Sequence, residues 1–171
     1  MMSALRMGFD VCRISEIEQM LKDGPAALER IFAPEERHYS ASQTHPAQHL
    51  AGFFAAKEAL AKAVREPSLL GKYYREVTIG HQENGTPDLK LSESLTKTFF
   101  DRGIRVADFS ISHDGDYAMA AVLVEQKPLR CGQCSLSLAA LAEQGIAEVL
   151  LQVTNKNGQS EYRCLVCIRG W

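Results

Sequence analysis

The residues of this chain best suited to chemistry lie in separated stretches. Gly8-Phe9-Asp10 puts one acid at the end of a short, apolar, buried strand. Phe54-Ala55-Ala56-Lys57-Glu58-Ala59-Leu60-Ala61-Lys62-Ala63 is strongly helical and carries an acid and two bases. Glu58 and Lys62, four residues apart, stand one above the other on a helix face, with Lys57 beside them. Alanines at 55, 56, 59, 61 and 63 leave open space next to these charges, where a large ligand or another segment can approach. Ser110-Ile111-Ser112-His113-Asp114 ends a strand in a tight loop. Its two serines share a face, and its histidine titrates near neutrality and can hydrogen-bond a phosphate or hydroxyl.

Each stretch has a plainer alternative. Asp10 is read as a turn or helix-start aspartate, Glu58 and Lys62 as an exposed ion pair, and Asp114-Gly115 as a turn chosen for its backbone. Taken together, two carboxylates with a lysine and no histidine cluster suit a hard cation such as Mg²⁺. That ion is typically held by one or two carboxylates plus substrate phosphates, which points to phosphoryl chemistry on a diphosphate. No Walker loop, no G-x-G-x-x-G and no kinase signature is present, so a nucleotide site of those kinds is not expected.

The tail holds a different constellation. Of five cysteines, Cys131, Cys134, Cys164 and Cys167 form two C-x-x-C pairs beyond Lys127. Two such knuckles at the ends of a hairpin fit a zinc-ribbon-like tetrathiolate site, although the gap is longer than the common ribbon spacing. Buried free thiols and a redox pair are the alternatives. A segment this small has little core, so structural Zn²⁺ would help it fold.

The elements that must position these groups follow from composition and pattern. With 171 residues, 46% of them hydrophobic, the chain can build one compact domain and a small appendage. A net charge of −2 gives no global pull toward nucleic acid or an anionic membrane. No apolar run approaches a membrane span and Met1–Met7 does not read as a secretory signal, so a cytoplasmic location is expected. A strand over 8–13 leads into a helix from near Ser15, stopped by Gly24-Pro25. Helices follow over 26–32 and from Pro34 to about Tyr39, then the main helix over 47–64. Val77-Thr78-Ile79 and Asp88–Leu91 flank an Asn84-Gly85 turn, and Ser92 caps a helix ended by Gly103. Strands over 106–112 and 117–125 come next, the second apolar on both faces and therefore central. This predicts an α+β fold with helices packed on an antiparallel sheet. The domain boundaries are 1–126 and 127–171. The second part is read as a helix over 136–144 and strands over 148–154 and 161–168, with Asn157-Gly158 in the turn.

The order of Gly8-Phe9-Asp10, Ala51-Gly52-Phe53-Phe54-Ala55-Ala56-Lys57-Glu58-Ala59-Leu60-Ala61-Lys62-Ala63, Asn84-Gly85-Thr86-Pro87, Ser110-Ile111-Ser112-His113-Asp114 and Tyr117-Ala118 resembles the holo-[acyl-carrier-protein] synthase family of 4′-phosphopantetheinyl transferases, over roughly residues 7–125. The resemblance implies transfer of phosphopantetheine from coenzyme A to a serine of an apo acyl carrier protein of fatty-acid or polyketide type. The other product is adenosine 3′,5′-bisphosphate. Asp10 and Glu58 then match the Mg²⁺ ligands, and Lys62 the lysine on the transferred phosphate. His113 matches the histidine near the site. Glu58, Lys62 and His113 are the expected catalytic residues, and Lys57, Lys62, Ser110 and His113 the expected contacts to coenzyme A. The resemblance also implies a homotrimer with sites between subunits; from charge and hydropathy, neither nucleic acid nor membrane is expected as a partner.

The chain departs from that pattern in places. Phe53 stands where the family often has arginine, and Arg13 and Glu16 reverse the usual charges. The usual glycine-rich stretch after the long helix is replaced by Arg65–Lys72. A second function therefore stays open: a catalytically degenerate transferase fold whose zinc module recruits a carrier or synthase partner. A metal-binding regulator centred on the cysteines is a third reading, although the basic surface needed for nucleic acid is not evident.

Overall fold

The computed structural model describes residues 4–65, 74–127, 150–154 and 160–164, the last two segments as backbone only. One compact unit spans Ala4–Gln126. Its sheet has the order β1-β5-β4, antiparallel throughout, with β1 at Ala4–Arg13, β4 at Ile104–Asp114 and β5 at Tyr117–Gln126. The strand that reads as apolar on both faces, β5, is the central one. Between β1 and β4 the chain makes helices α1 (Ile14–Asp23), α2 (Pro25–Ile31), α3 (Pro34–Ala41) and α4 (Pro46–Val64). A 3-10 turn at Tyr74–Glu76, the β2–β3 hairpin (Val77–His81, Pro87–Leu91) and α5 (Glu93–Asp101) complete the unit.

Local chemistry accounts for most boundaries. Gly24, at φ 110°, separates α1 from α2 in a conformation that side chains resist. The Ser92 hydroxyl accepts the Leu95 amide at 3.1 Å and starts α5. Glu36 of α3 reaches back to accept the Ala33 amide at 2.8 Å.

Helix α4 organises the core. It packs across the inner face of β1, β5 and β4, while α1 and α3 pack against it in turn. Of its 19 residues, 13 are buried, so it is apolar almost all round, as an internal helix must be. The alanines do not leave open space for a ligand. Ala55, Ala56, Ala59 and Ala63 are completely buried and Ala61 nearly so. Their small side chains let the helix backbone settle onto the sheet. At Gly8 a Cβ would lie 1.9 Å from the Ala59 carbonyl oxygen and 2.6 Å from the Ala63 nitrogen.

The close contact turns β1 inside out relative to its hydrophobic pattern. Gly8, Asp10 and Cys12 face α4. Leu5, Met7, Phe9 and Val11, the apolar set, lie on the other face and are 66%, 72%, 50% and 47% exposed.

In the second part of the chain, β6 (Leu150–Thr154) and β7 (Ser160–Cys164) pair antiparallel from Leu150↔Cys164 to Thr154↔Ser160. The expected helix over 136–144 and the Asn157-Gly158 turn lie outside the described residues, as do Cys131, Cys134 and Cys167. Cys164 closes β7.

Candidate active site

From Ala51 to Val64, every residue of α4 is buried except Phe54, Glu58 and Lys62. These are successive i, i+4 positions, so they form one narrow open stripe on an otherwise submerged helix. The stripe runs beside Asp10 of β1. Lys62 Nζ donates to Asp10 Oδ1 at 2.6 Å and to the Phe9 carbonyl at 3.2 Å. The Asp10 side chain is 14% exposed and that of Lys62 50%. Asp10 lies within β1, opposite Ala120 on β5, rather than at the strand's end. Glu58 stands one turn before Lys62, and its Oε1 accepts the Tyr74 hydroxyl.

The electrostatics mark the two carboxylates as neighbours. Partial burial pushes the Glu58 carboxyl above its ordinary value, the Asp10 charge adds to the rise, and Lys62 offsets part of it. Among the described residues nothing donates a hydrogen bond to Asp10 Oδ2 or Glu58 Oε2, and no group of three His, Cys, Asp or Glu side chains converges. Two neighbouring carboxylates, each with an oxygen not engaged by a described residue, and no converging nitrogen or sulfur donor among the described residues fit Mg²⁺, which completes its shell with phosphate oxygens and water.

Lys57, expected beside Glu58 and Lys62 among the contacts to coenzyme A, lies instead on the closed side of α4. It is 3% exposed, and each of its three hydrogens is taken. The acceptors are Glu36 Oε2 at 2.7 Å, the Tyr74 carbonyl at 2.7 Å and the Ile31 carbonyl at 2.8 Å. Glu36, fully buried, accepts in addition from the amides of Ala33 and Ile79. Burial pushes the Glu36 carboxyl up and the Lys57 ammonium down, each opposed by its partner.

His113 and Ser110 do not join the cluster within one chain. Both are in β4, where His113 faces Ala118 and Ser110 faces Ala121. The tight turn is at Gly115-Asp116, so His113 and Asp114 are strand residues rather than loop residues. Relative to Asp10, His113 is two strands across and two positions along, roughly 10 Å by 7 Å from strand spacing and rise. It lies near His49, whose imidazole is held low by burial first and then by His81, His113 and His45. Ser110 shares register with residues of the outer face.

Two residues of the site escaped the sequence. Tyr74 follows Tyr73 in no regular pattern, and Glu36 reads locally as a helix-dipole acid. The one available signal is Lys57 itself, a charge in the most apolar helix among the described residues, which requires a buried partner.

A model of the 4′-phosphopantetheinyl transferase superfamily matches residues 6–122. The chain belongs to that superfamily. Among curated relatives, the holo-[acyl-carrier-protein] synthase of Trichlorobacter lovleyi is 38% identical over 122 residues, 71% of this chain and 97% of its own. A Chronobacterium ammoniagenes ACPS–CoA complex matches at 32% identity and TM-score 0.61, covering 72% of this chain and 98% of that one. The Neisseria meningitidis holo-[acyl-carrier-protein] synthase matches at 32% identity and TM-score 0.62, covering 71% and 98%.

Within this transferase fold the departures find their places. Phe53 is 2% exposed, packed with Tyr39 and His81 at ring distances of 6.0 Å. Arg13 lies over the Tyr117 ring at 5.6 Å. Arg65 ends α4 in the left-handed conformation, φ 57°. The stretch 66–73 lies outside the described residues.

Proposed function

We propose that the chain is a holo-[acyl-carrier-protein] synthase, transferring 4′-phosphopantetheine from coenzyme A to a serine of an apo acyl carrier protein. The observation that carries this is the meeting of Asp10 of β1 with Glu58 and Lys62 on the open stripe of α4. Asp10 and Glu58 would hold Mg²⁺, which when bound supplies Lewis-acid stabilisation of charge on the diphosphate. Lys62 exchanges Asp10 for the transferred phosphate. The serine hydroxyl forms the new O–P bond and its proton passes to Glu58, whose raised affinity for protons suits a base. The bridging P–O bond breaks, and its electron pair leaves with adenosine 3′,5′-bisphosphate.

The remaining parts of the proposal concern assembly and the tail. The outer face of the sheet, with Leu5, Met7, Phe9 and Val11 exposed, supports a homotrimer. In it, His113 and Ser110 of one copy approach the Asp10–Glu58–Lys62 cluster of the next. The transferase domain is 1–126. The extension 127–171 binds structural Zn²⁺ through Cys131, Cys134, Cys164 and Cys167. The enzyme is proposed to be cytoplasmic and to serve a fatty-acid or polyketide carrier. No helix among the described residues is long and apolar enough to cross a membrane.

The test is transfer to an apo acyl carrier protein of bacterial fatty-acid type with coenzyme A and Mg²⁺. The expected product is a carrier heavier by about 340 Da, the mass of the transferred group. Glu58→Gln and Asp10→Ala should abolish the gain. An unmodified carrier, or undiminished turnover in either variant, refutes the assignment. Metal analysis of protein purified without chelator should find one Zn²⁺ per chain, and none would end the zinc proposal.

A further inference from the structure

Only one of the two Glu58 oxygens is engaged by a described residue, and the residue engaging it is itself held from behind. The Tyr74 hydroxyl donates to Glu58 Oε1. The Tyr74 carbonyl accepts from Lys57 Nζ at 2.7 Å. Lys57 is anchored in turn by Glu36 and the Ile31 carbonyl, and Glu36 by the amides of Ala33 and Ile79. A polar chain thus starts in the buried junction of α2, α3 and β2, passes through Lys57 to Tyr74, and ends on the carboxylate in the open stripe. The Phe54 ring, one turn before Glu58, packs on Tyr74 at 5.8 Å and steadies the phenol laterally.

We propose that Tyr74, gripped by Lys57, is a positioning residue that fixes the Glu58 carboxylate, holding Oε1 and presenting Oε2 to the open stripe. This rests on the function proposed above. A free glutamate samples many rotamers, and a hydroxyl anchored through its own main chain removes that freedom before substrate arrives. The charged groups acting on Glu58 are Asp10 from β1 and Lys62 from its own helix, and Tyr74 adds a neutral donor to them. Such a donor favours the ionised carboxylate.

The test is Tyr74→Phe, which keeps the ring and the Lys57–carbonyl bond and removes only the hydroxyl. The expected result is kcat lower by roughly ten- to a hundredfold, the range for a hydrogen bond to a charged group, with KM for coenzyme A unchanged. Calorimetric titration of Mg²⁺ into the enzyme with coenzyme A and no carrier should show affinity several-fold weaker. Wild-type kcat and Mg²⁺ affinity in Tyr74→Phe would overturn the inference. A wild-type enzyme that modifies no carrier would instead remove the proposed function, and the Mg²⁺ titration would still decide for or against Tyr74.

Discussion

Replacing Gly8 by alanine isolates the contact on which the site geometry depends. The added Cβ would lie 1.9 Å from the Ala59 carbonyl oxygen, 2.6 Å from the Ala63 nitrogen and 2.9 Å from the Ala59 carbonyl carbon. Each neighbour is helix backbone and cannot rotate away. Reaching ordinary contact requires β1 and α4 to part by about 1.5 Å. Overpacking typically costs 1–3 kcal/mol, and a backbone clash belongs at the upper end, so a loss of about 3 kcal/mol is expected. For a unit of this size that is a fall in Tm of about 10 °C. Asp10 is two residues further along the same face, so its 2.6 Å contact to Lys62 is stretched beyond hydrogen-bond range. A misplacement of that order costs roughly a hundredfold in rate. Thermal melting followed by circular dichroism and transfer kinetics measure both effects. Gly52→Ala is the control, since its Cβ would meet only the Ile111 Cγ2 methyl at 2.8 Å, and it should cost less than about 1.5 kcal/mol. A Gly8→Ala protein melting within about 2 °C of wild type, with kcat/KM within about threefold, would refute the reasoning.

Lys57→Met leaves Glu36 buried without its partner and should cost about 3–5 kcal/mol in urea unfolding, with Lys57→Met/Glu36→Leu recovering much of it. A single-variant loss below about 1 kcal/mol would contradict a buried pair. His49 and His81, whose rings lie 5.5 Å and 4.4 Å from that of Tyr39, should make the fold acid-sensitive. Burial holds His49 and His81 below the ordinary imidazole value of 6.5, so the folded state binds fewer protons than the unfolded chain. Their contribution is present above about pH 6.5 and lost as pH falls from there toward the lowered folded values. The raised carboxyls of Glu36 and Glu58 act in the opposite sense, so the measurement is a difference. The drop in Tm between pH 7.5 and 5.5 should be smaller in His49→Gln/His81→Phe than in wild type, and an equal drop would exclude the histidines as its source.

The sequence was most legible where local chemistry sets the outcome. Gly24-Pro25 ends α1, Ser92 opens α5, and the two-sided apolar run of β5 puts it in the middle of the sheet. Asp10, Glu58 and Lys62 could be grouped because the chemistry of a diphosphate site demands such residues. The side taken by Lys57 was not legible. A helix buried almost all round has no contrast between faces, so its pattern cannot show which angle remains open. Alanine is equally suited to an open surface and to a close helix–sheet contact, and only the backbone approach at Gly8 distinguishes them. On β1 the alternation was clear but its usual meaning reversed, because the helix surface fits against glycine and leaves Leu5, Met7, Phe9 and Val11 outside. Glu36 and Tyr74 are 21 and 17 positions from Lys57, too far for any local pattern to link them.

Lys57 and Glu58 illustrate how adjacent residues can serve separate systems. Successive helix positions diverge by about 100°, which sends Lys57 into the closed side of α4 and Glu58 into the open stripe. The first side is dry, and its charges are fully paired there. The second is partly open, and there burial first, then the nearby Asp10 charge, raise the proton affinity of Glu58. Tyr74 joins the two, through its carbonyl to Lys57 and its hydroxyl to Glu58. The buried pair therefore does more than fill the core: it is linked through one residue to the Glu58 carboxylate in the open stripe. Substitutions at Lys57 should then lower stability and turnover together, whereas Tyr74→Phe lowers turnover alone, and that separation distinguishes a positioned site from one that merely survives on a stable scaffold.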